Sequence, residues 1–208
     1  MAMSHSLGEW TGLRGKFHAW FFSTYTRKIM ELLIFGNYWS SFKKESARRI
    51  RHGNEMVLDI GSGSGNFSLP IARKMKQGKV CCLDLSLEMT DFLQMKAKHK
   101  SLQNAIRILN CDASETGLDD SSIDWVVSGN CMHEMPHPEK ILAEVYRVLK
   151  PRGAVFIVDF MDWHGFHAGE AHGPYSVQQL SELFSEAGFK NVSVEKKRHF
   201  VVGIAEKV

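Results

Sequence analysis

From residue 56 onward the chain repeats one pattern: a short apolar run closes on a polar residue, and an amphipathic stretch follows. Met56-Val57-Leu58-Asp59-Ile60 reads as a buried strand. Residues 66–75 place Phe67, Ile71 and Met75 on one helical face. Residues 80–83 form a second strand. Residues 86–99 form a second helix, capped by Ser86, with Leu87, Phe92 and Met95 at near-helical spacing. Residues 105–109, 123–127 and 154–158 supply three more strands. Residues 138–149 read as a helix with proline near its start and Leu142, Val145 and Leu149 inward. Strands alternating with helices pair in parallel through right-handed crossovers, so the pattern predicts an α/β fold with a doubly wound sheet.

The C-terminal part breaks the rhythm. Residues 176–187 read as a helix capped by Ser176 and stopped at Gly188. Residues 192–196 and 200–205 are strands separated by so few residues that they must form an antiparallel hairpin. Ahead of the first strand, residues 17–42 carry nine aromatic side chains: Phe17, Trp20, Phe21, Phe22, Tyr25, Phe35, Tyr38, Trp39 and Phe42. Phe17, Phe21, Tyr25, Ile29 and Leu32 share one helical face. The expected organisation is an N-terminal helical extension over residues 1–54, acting as a lid, and a ligand-binding domain over 55–208.

Composition narrows the class. The chain has 208 residues, 44% hydrophobic and 24% charged, which fits one globular core and excludes a disordered or fibrous chain. Its net charge of +3 is mild, and the basic runs are short: Lys43-Lys44, Arg48-Arg49 and Lys196-Lys197-Arg198. These read as solvated surface, so no nucleic-acid partner is expected. The four cysteines, Cys81, Cys82, Cys111 and Cys131, form no C-x-x-C and read as reduced thiols. Neighbours Cys81 and Cys82 on a strand point to opposite faces. The N-terminus lacks the charged-then-apolar order of a signal peptide, and no apolar run approaches the ~20 residues of a membrane span. A cytoplasmic protein is expected.

The sharpest chemical signal is Asp59-Ile60-Gly61-Ser62-Gly63-Ser64-Gly65, between a strand and a helix. Ligands of open α/β sheets bind beyond the carboxyl ends of the strands, and glycines let the backbone approach them closely. Asp84 ends the second strand, 19 residues after Gly65, where a carboxylate can accept from both ribose hydroxyls. The dinucleotide fingerprint would need glycine at position 66, which is Asn66, and no G-K-[ST] follows to make a phosphate loop.

At this point the chain resembles the class I S-adenosylmethionine-dependent methyltransferases. Four segments carry the resemblance: residues 57–65, Leu83-Asp84-Leu85-Ser86, Asn110-Cys111-Asp112-Ala113 and Leu149-Lys150-Pro151-Arg152-Gly153-Ala154. The resemblance implies a Rossmann-like seven-stranded sheet of order 3-2-1-4-5-7-6, with the last strand antiparallel and helices on both faces. It implies S-adenosylmethionine as cofactor. Asp59 would serve its amino-acid end, Gly61 and Gly63 its close approach, and Asp84 its ribose. Asp112 would accept from the adenine amine, the Ala113 N–H would donate to the ring, and Leu85 and Met89 would sandwich it. Tyr38, Ser62, Gly65 and Asn130 complete the implied cofactor set.

Within that superfamily the chain is similar to the small-molecule branch that includes ubiquinone and menaquinone methyltransferases. Phe35-Gly36-Asn37-Tyr38-Trp39 and Met132-His133-Glu134-Met135-Pro136-His137-Pro138 carry this likeness. It is shared with phospholipid, sterol and natural-product enzymes, and the loop after the fifth strand is shorter than in the quinone enzymes. Ser128-Gly129-Asn130-Cys131 departs from the amino-methylating nucleic-acid enzymes, and Cys131 reads as a small buried residue rather than a nucleophile.

The expected reaction is methyl transfer to a small, partly apolar molecule, its acceptor atom (O, N, C or S) open. The alternatives are a nucleic-acid or protein methyltransferase and a non-catalytic cofactor-binding module. His133, Glu134 and Asp159 are the candidate catalytic groups, each equally open to a structural role. His133, His137, His164, His167 and His172 cluster in loops, but without a helical H-x-x-x-H pair or nearby cysteine, so no metal is expected.

Overall fold

The computed structural model describes residues 38–161 and 175–208. The expected aromatic helix and lid over residues 17–37, Tyr25 included, lie outside them, as do His164, His167 and His172 and the side chain of Tyr38.

Seven strands form one sheet of order β3-β2-β1-β4-β5-β7-β6, as expected. In chain order the elements are α1 (Tyr38–Arg48), β1 (Met56–Ile60), α2 (Ser68–Ala72), β2 (Lys79–Leu83), α3 (Leu87–His99), β3 (Ile106–Leu109), β4 (Ile123–Gly129), α4 (Pro138–Val148), β5 (Leu149–Phe160), α5 (Val177–Glu186), β6 (Lys190–Lys197) and β7 (Phe200–Glu206). The strands β3, β2, β1, β4 and β5 pair in parallel, and β7 runs antiparallel to both β5 and β6.

Strand alternation sends side chains to two cores. Leu58, Ile60, Cys81, Val155 and Ile157 face Leu142, Val145, Leu180 and Phe184 of α4 and α5. Val57, Val80, Cys82, Phe156 and Val158 face Trp39 and Phe42 of α1, Ile71 of α2 and Leu93 of α3. Cys81 and Cys82 thus lie on opposite faces, and all four cysteines are free. Each fully buried large apolar side chain contributes about 1.5–3 kcal/mol.

Three expectations are corrected. The helix expected over 66–75 is only Ser68–Ala72. Pro70 has no N–H to return to the carbonyl of Asn66, and the last turn tightens, with Lys74 N–H donating to Ile71 and Met75 N–H to Ala72. The inward face of α3 is Met89, Thr90, Leu93 and Ala97, whereas Leu87 and Met95 are 60% and 58% exposed. Leu149 does not close α4 but opens β5, which begins five residues earlier than expected. Both expected caps are present: Ser86 accepts from Met89 N–H, and Ser176 makes a reciprocal capping box with Gln179.

Candidate active site

The carboxyl ends of β1, β2, β3, β4 and β5 lie on one edge of the sheet, and β1 and β4 are neighbours there although the chain leaves β1 toward β2. That reversal opens a crevice at the strand ends, the usual place for a ligand in an open α/β sheet.

The loop after β1 enters it. Gly61, Gly63 and Gly65 all have positive φ, at 64°, 48° and 87°. A Cβ on Gly65 would meet Leu93 Cδ1 at 2.4 Å, so that turn must be glycine to pack against α3. A Cβ on Gly63 would meet nothing within 4 Å, which leaves open space above the loop. The loop is pinned from outside: Ser62 N–H donates to the Leu83 carbonyl at 2.9 Å, and Lys96 Nζ to the Ser64 carbonyl at 2.6 Å.

Two carboxyl groups frame this loop. Asp59, 1% exposed on β1, accepts a very short hydrogen bond from the Ser68 hydroxyl of α2. Burial pushes its pKa up to about 7, with the Ser68 bond opposing and the nearby Asp84 charge adding. Asp84 follows β2. Its Oδ2 accepts from Gly63 N–H at 2.8 Å and its Oδ1 from Ser86 N–H at 2.9 Å. Burial raises its pKa and the two N–H donors counteract that. Asn110, after β3, donates through Nδ2 to the carbonyls of Asp84 and Leu85 and so joins the second and third loops. Asp112 is exposed, with Oδ1 accepting from Ser114 N–H and Oγ at 2.8 and 2.7 Å. Leu85 is 54% exposed, Met89 is buried, and Ala113 is buried.

After β4 the chain turns at Asn130, with φ 59° and an N–H donating to the Val158 carbonyl at 2.7 Å. The buried Oδ1 of Asn130 and Oγ of Ser62 have no hydrogen-bond partner in the protein. Buried polar atoms are rarely left so without a ligand or water, and both belong to the expected cofactor set. Cys131 donates through Sγ to the Ile60 carbonyl at 3.1 Å and lies against Gly61. Burial raises its thiol pKa well above the ordinary value, which makes it packing material rather than a nucleophile.

His133 and Asp159 meet across β4 and β5. Both are fully buried, and His133 Nδ1 donates to Asp159 Oδ1 at 2.6 Å. The carboxylate also accepts His133 N–H at 3.0 Å and Phe160 N–H at 2.8 Å, so the pair is locked in place. With Nδ1 held as donor, Nε2 is the nitrogen that carries the lone pair of a neutral ring. The Glu134 carboxylate lies 3.7 Å from that Nε2 and is half-exposed. Tyr175 closes the floor, its hydroxyl donating to the Met132 carbonyl at 3.1 Å. His137 is exposed, paired with Glu139 at the start of α4, away from the dyad's bonds. Among the described residues no group of three His, Cys, Asp or Glu side chains could hold a metal ion.

The sheet order is the one the family resemblance implies. A methyltransferase domain model matches residues 58–157. Residues 58–157 thus carry a methyltransferase domain, and the findings together support a class I S-adenosylmethionine-dependent methyltransferase. The chain is 25% identical over 188 residues to the demethylmenaquinone methyltransferase of Lactobacillus johnsonii, covering 76% of this chain and 77% of that one. It is 33% identical over 136 residues to a ubiquinone/menaquinone biosynthesis C-methyltransferase of Rickettsia bellii, covering 62% of this chain and 54% of that one. The chain thus spans only about half the length of the Rickettsia relative. A solved S-adenosylmethionine-dependent methyltransferase of Aquifex aeolicus shares the fold, with TM-score 0.68 and 24% identity over 80% of this chain and 89% of that one.

For a class I methyltransferase the residues fit the cofactor. S-adenosylmethionine has no pyrophosphate, and no G-K-[ST] follows the glycine loop; the loop offers open space at Gly63, two carboxyl groups and two buried polar atoms without a protein partner. Glu144 and Arg147, which anchor the Asp112 loop from α4, were not singled out by the sequence. Glu144 stands on the buried face of α4 with only its pattern position as a signal.

Proposed function

We propose that this chain transfers the methyl group of S-adenosylmethionine to a small, partly apolar molecule, in the manner of the quinone methyltransferases it resembles. The observation that carries the proposal is one sheet edge bearing two unlike devices: an acid-framed glycine loop after β1 and β2, and a buried His133–Asp159 pair after β4 and β5.

The bound cofactor supplies an activated methyl group on a sulfonium, ready for in-line displacement. The chain's task is then alignment, exclusion of water and the handling of one proton. Asp59 and Asn130 hold the amino-acid end, Gly61, Ser62, Gly63 and Gly65 the approach, and Asp84 the ribose. Leu85, Met89, Asp112 and Ala113 take the adenine. Asp159 fixes His133 so that Nε2 takes a proton from the acceptor, and Glu134 stabilises the resulting cation. Tyr38 and the helical extension over residues 1–54 cover the site, and the protein works in the cytoplasm. No helix among the described residues is long and apolar enough to cross a membrane.

Methyl-labelled S-adenosylmethionine incubated with the chain and three acceptor pools tests this. The pools are hydroxylated aromatics with apolar tails, oligonucleotides and peptides. Label in the first pool supports the proposal. Label only in the other two, or cofactor binding with no transfer to any pool, contradicts it.

A further inference from the structure

We infer that Glu144, on α4, is a positioning residue for cofactor recognition: it holds the Asp112–Thr116 loop in the shape that selects adenine. The inference rests on the assignment of Asp112 and Ala113 to the adenine.

The loop between β3 and β4 carries no helix or strand over residues 110–122; backbone bonds from Ser121 and Ser122 to the Arg147 and Val148 carbonyls hold its end, and the shape of its middle rests on side chains. Glu144 imposes it. The carboxylate is 9% exposed, and its Oε1 accepts from Thr116 N–H at 2.9 Å and from Thr116 Oγ1 at 2.6 Å. Thr116 Oγ1 in turn accepts Leu118 N–H at 3.2 Å. Arg147, one turn later on α4, donates Nε to Glu144 Oε2 at 2.7 Å and Nη2 to Glu144 Oε1 at 2.8 Å. The same guanidinium reaches the Leu118 carbonyl at 2.7 Å and the Asp120 carboxylate. One buried carboxylate and one arginine thus tie Thr116, Leu118 and Asp120 to a helix that is itself packed in the core by Leu142, Val145 and Val148.

Upstream, Asn110 holds the entry of the loop through the Asp84 and Leu85 carbonyls, and from Asp112 to Glu115 the side-chain and backbone bonds are local. Asp112 bonds within its own turn to Ser114, and Glu115 N–H donates to the Asp112 carbonyl at 3.1 Å. Both side-chain bonds fall on Oδ1, which leaves Oδ2 to accept from an exocyclic amine. Asp112 thus lies between two anchors, Asn110 two residues before it and Thr116 four residues after it, and loss of Glu144 releases the second, loosening the segment that presents Asp112 and the Ala113 N–H. The hydrogen bonds from Arg147 and Thr116 keep the Glu144 carboxyl ionised, its pKa lowered to about 2, and the tie is therefore constant across assay pH.

Adenine and hypoxanthine separate this role from general stability. Replacing the N6 amine with oxygen sets an acceptor against Asp112 and an N1–H against the Ala113 N–H. A site built for hydrogen bonds rejects such an analogue strongly. The test is calorimetric titration of the full chain with S-adenosylhomocysteine and with S-inosylhomocysteine, for wild type, Glu144→Ala, Glu144→Gln and Asp112→Asn. In Glu144→Ala the preference for the adenosyl compound is expected to fall by about tenfold, the scale of a lost charged hydrogen bond. Glu144→Gln keeps an acceptor for Thr116 and is expected to retain most of the preference. If Glu144→Ala does not fold, Thr116→Val carries the test, with an expected loss of about fivefold. A folded Glu144→Ala or Thr116→Val with full preference, beside an Asp112→Asn that has lost it, overturns the inference and leaves the adenine assignment standing. Full preference in Asp112→Asn overturns the adenine assignment itself.

Discussion

Gly61 and Cys131 stand so close that a Cβ on the glycine would lie 2.3 Å from the cysteine sulfur. The loop after β1 and the turn after β4 are therefore packed against each other at the crevice. A side chain at position 61 must move one of them. The backbone there has φ 64°, which adds strain for any residue but glycine. Gly61→Ala is expected to destabilise the fold by about 1–3 kcal/mol, as overpacking does. Cys131→Ala in the same chain should restore part of that loss. Thermal unfolding of the two single variants and the double variant measures the coupling; strict additivity would show that the contact does not constrain the loop.

Asp59 makes a pH prediction. Its folded pKa of about 7 lies above the ordinary carboxyl value. Between the two values the folded protein holds a proton that the unfolded chain releases. The contribution of this group to stability is thus complete below about pH 4 and is lost as pH rises through about 7. Relative to Asp59→Asn, the ligand-free wild type should lose melting temperature as pH goes from 5 to 8. The same ionisation creates the anion that an ammonium needs, so affinity for S-adenosylhomocysteine should rise over that interval in the wild type only. A melting difference that stays flat with pH would refute the raised pKa.

How much of this was legible beforehand depended on range. Local signals held: alternating apolar runs gave the strands, Ser86 and Ser176 marked helix starts, and the short hairpin link gave the antiparallel end of the sheet. The buried face of α3 is not the one its large apolar residues mark: Leu87 and Met95 stand on the solvent side while Ala97 and Thr90 pack inward. Residue size did not decide burial there; position on the helix did, with Leu93 fully buried and packed against the Gly65 turn. His133 and Asp159 were each visible as strand-end polar residues. Their 2.6 Å bond was not, because it spans 26 residues and depends on β4 and β5 being neighbours in register. Glu144 was hidden for the same reason, its Thr116 partner lying 28 residues away.

The buried dyad predicts a base. His133→Ala should lower kcat by about 10²–10⁴-fold on an accepted substrate, the range for general acid–base catalysis. The cofactor affinity should change little. Asp159→Asn should lower kcat as well, because the amide no longer fixes Nδ1–H toward the strand. A chelator should leave the wild-type rate unchanged. Full activity in His133→Ala would remove the base, and abolition by chelator with rescue by added metal would replace it with metal chemistry.

The central claim is that the acid-framed loop binds S-adenosylmethionine, and Asp84 is its most direct probe. Titration calorimetry of wild type and Asp84→Ala with S-adenosylhomocysteine measures it. Saturable one-site binding is expected, weakened in the variant by about 1.5–3 kcal/mol per lost charged hydrogen bond. Absence of binding to the wild type, or equal affinity in Asp84→Ala with the fold intact, would contradict the account.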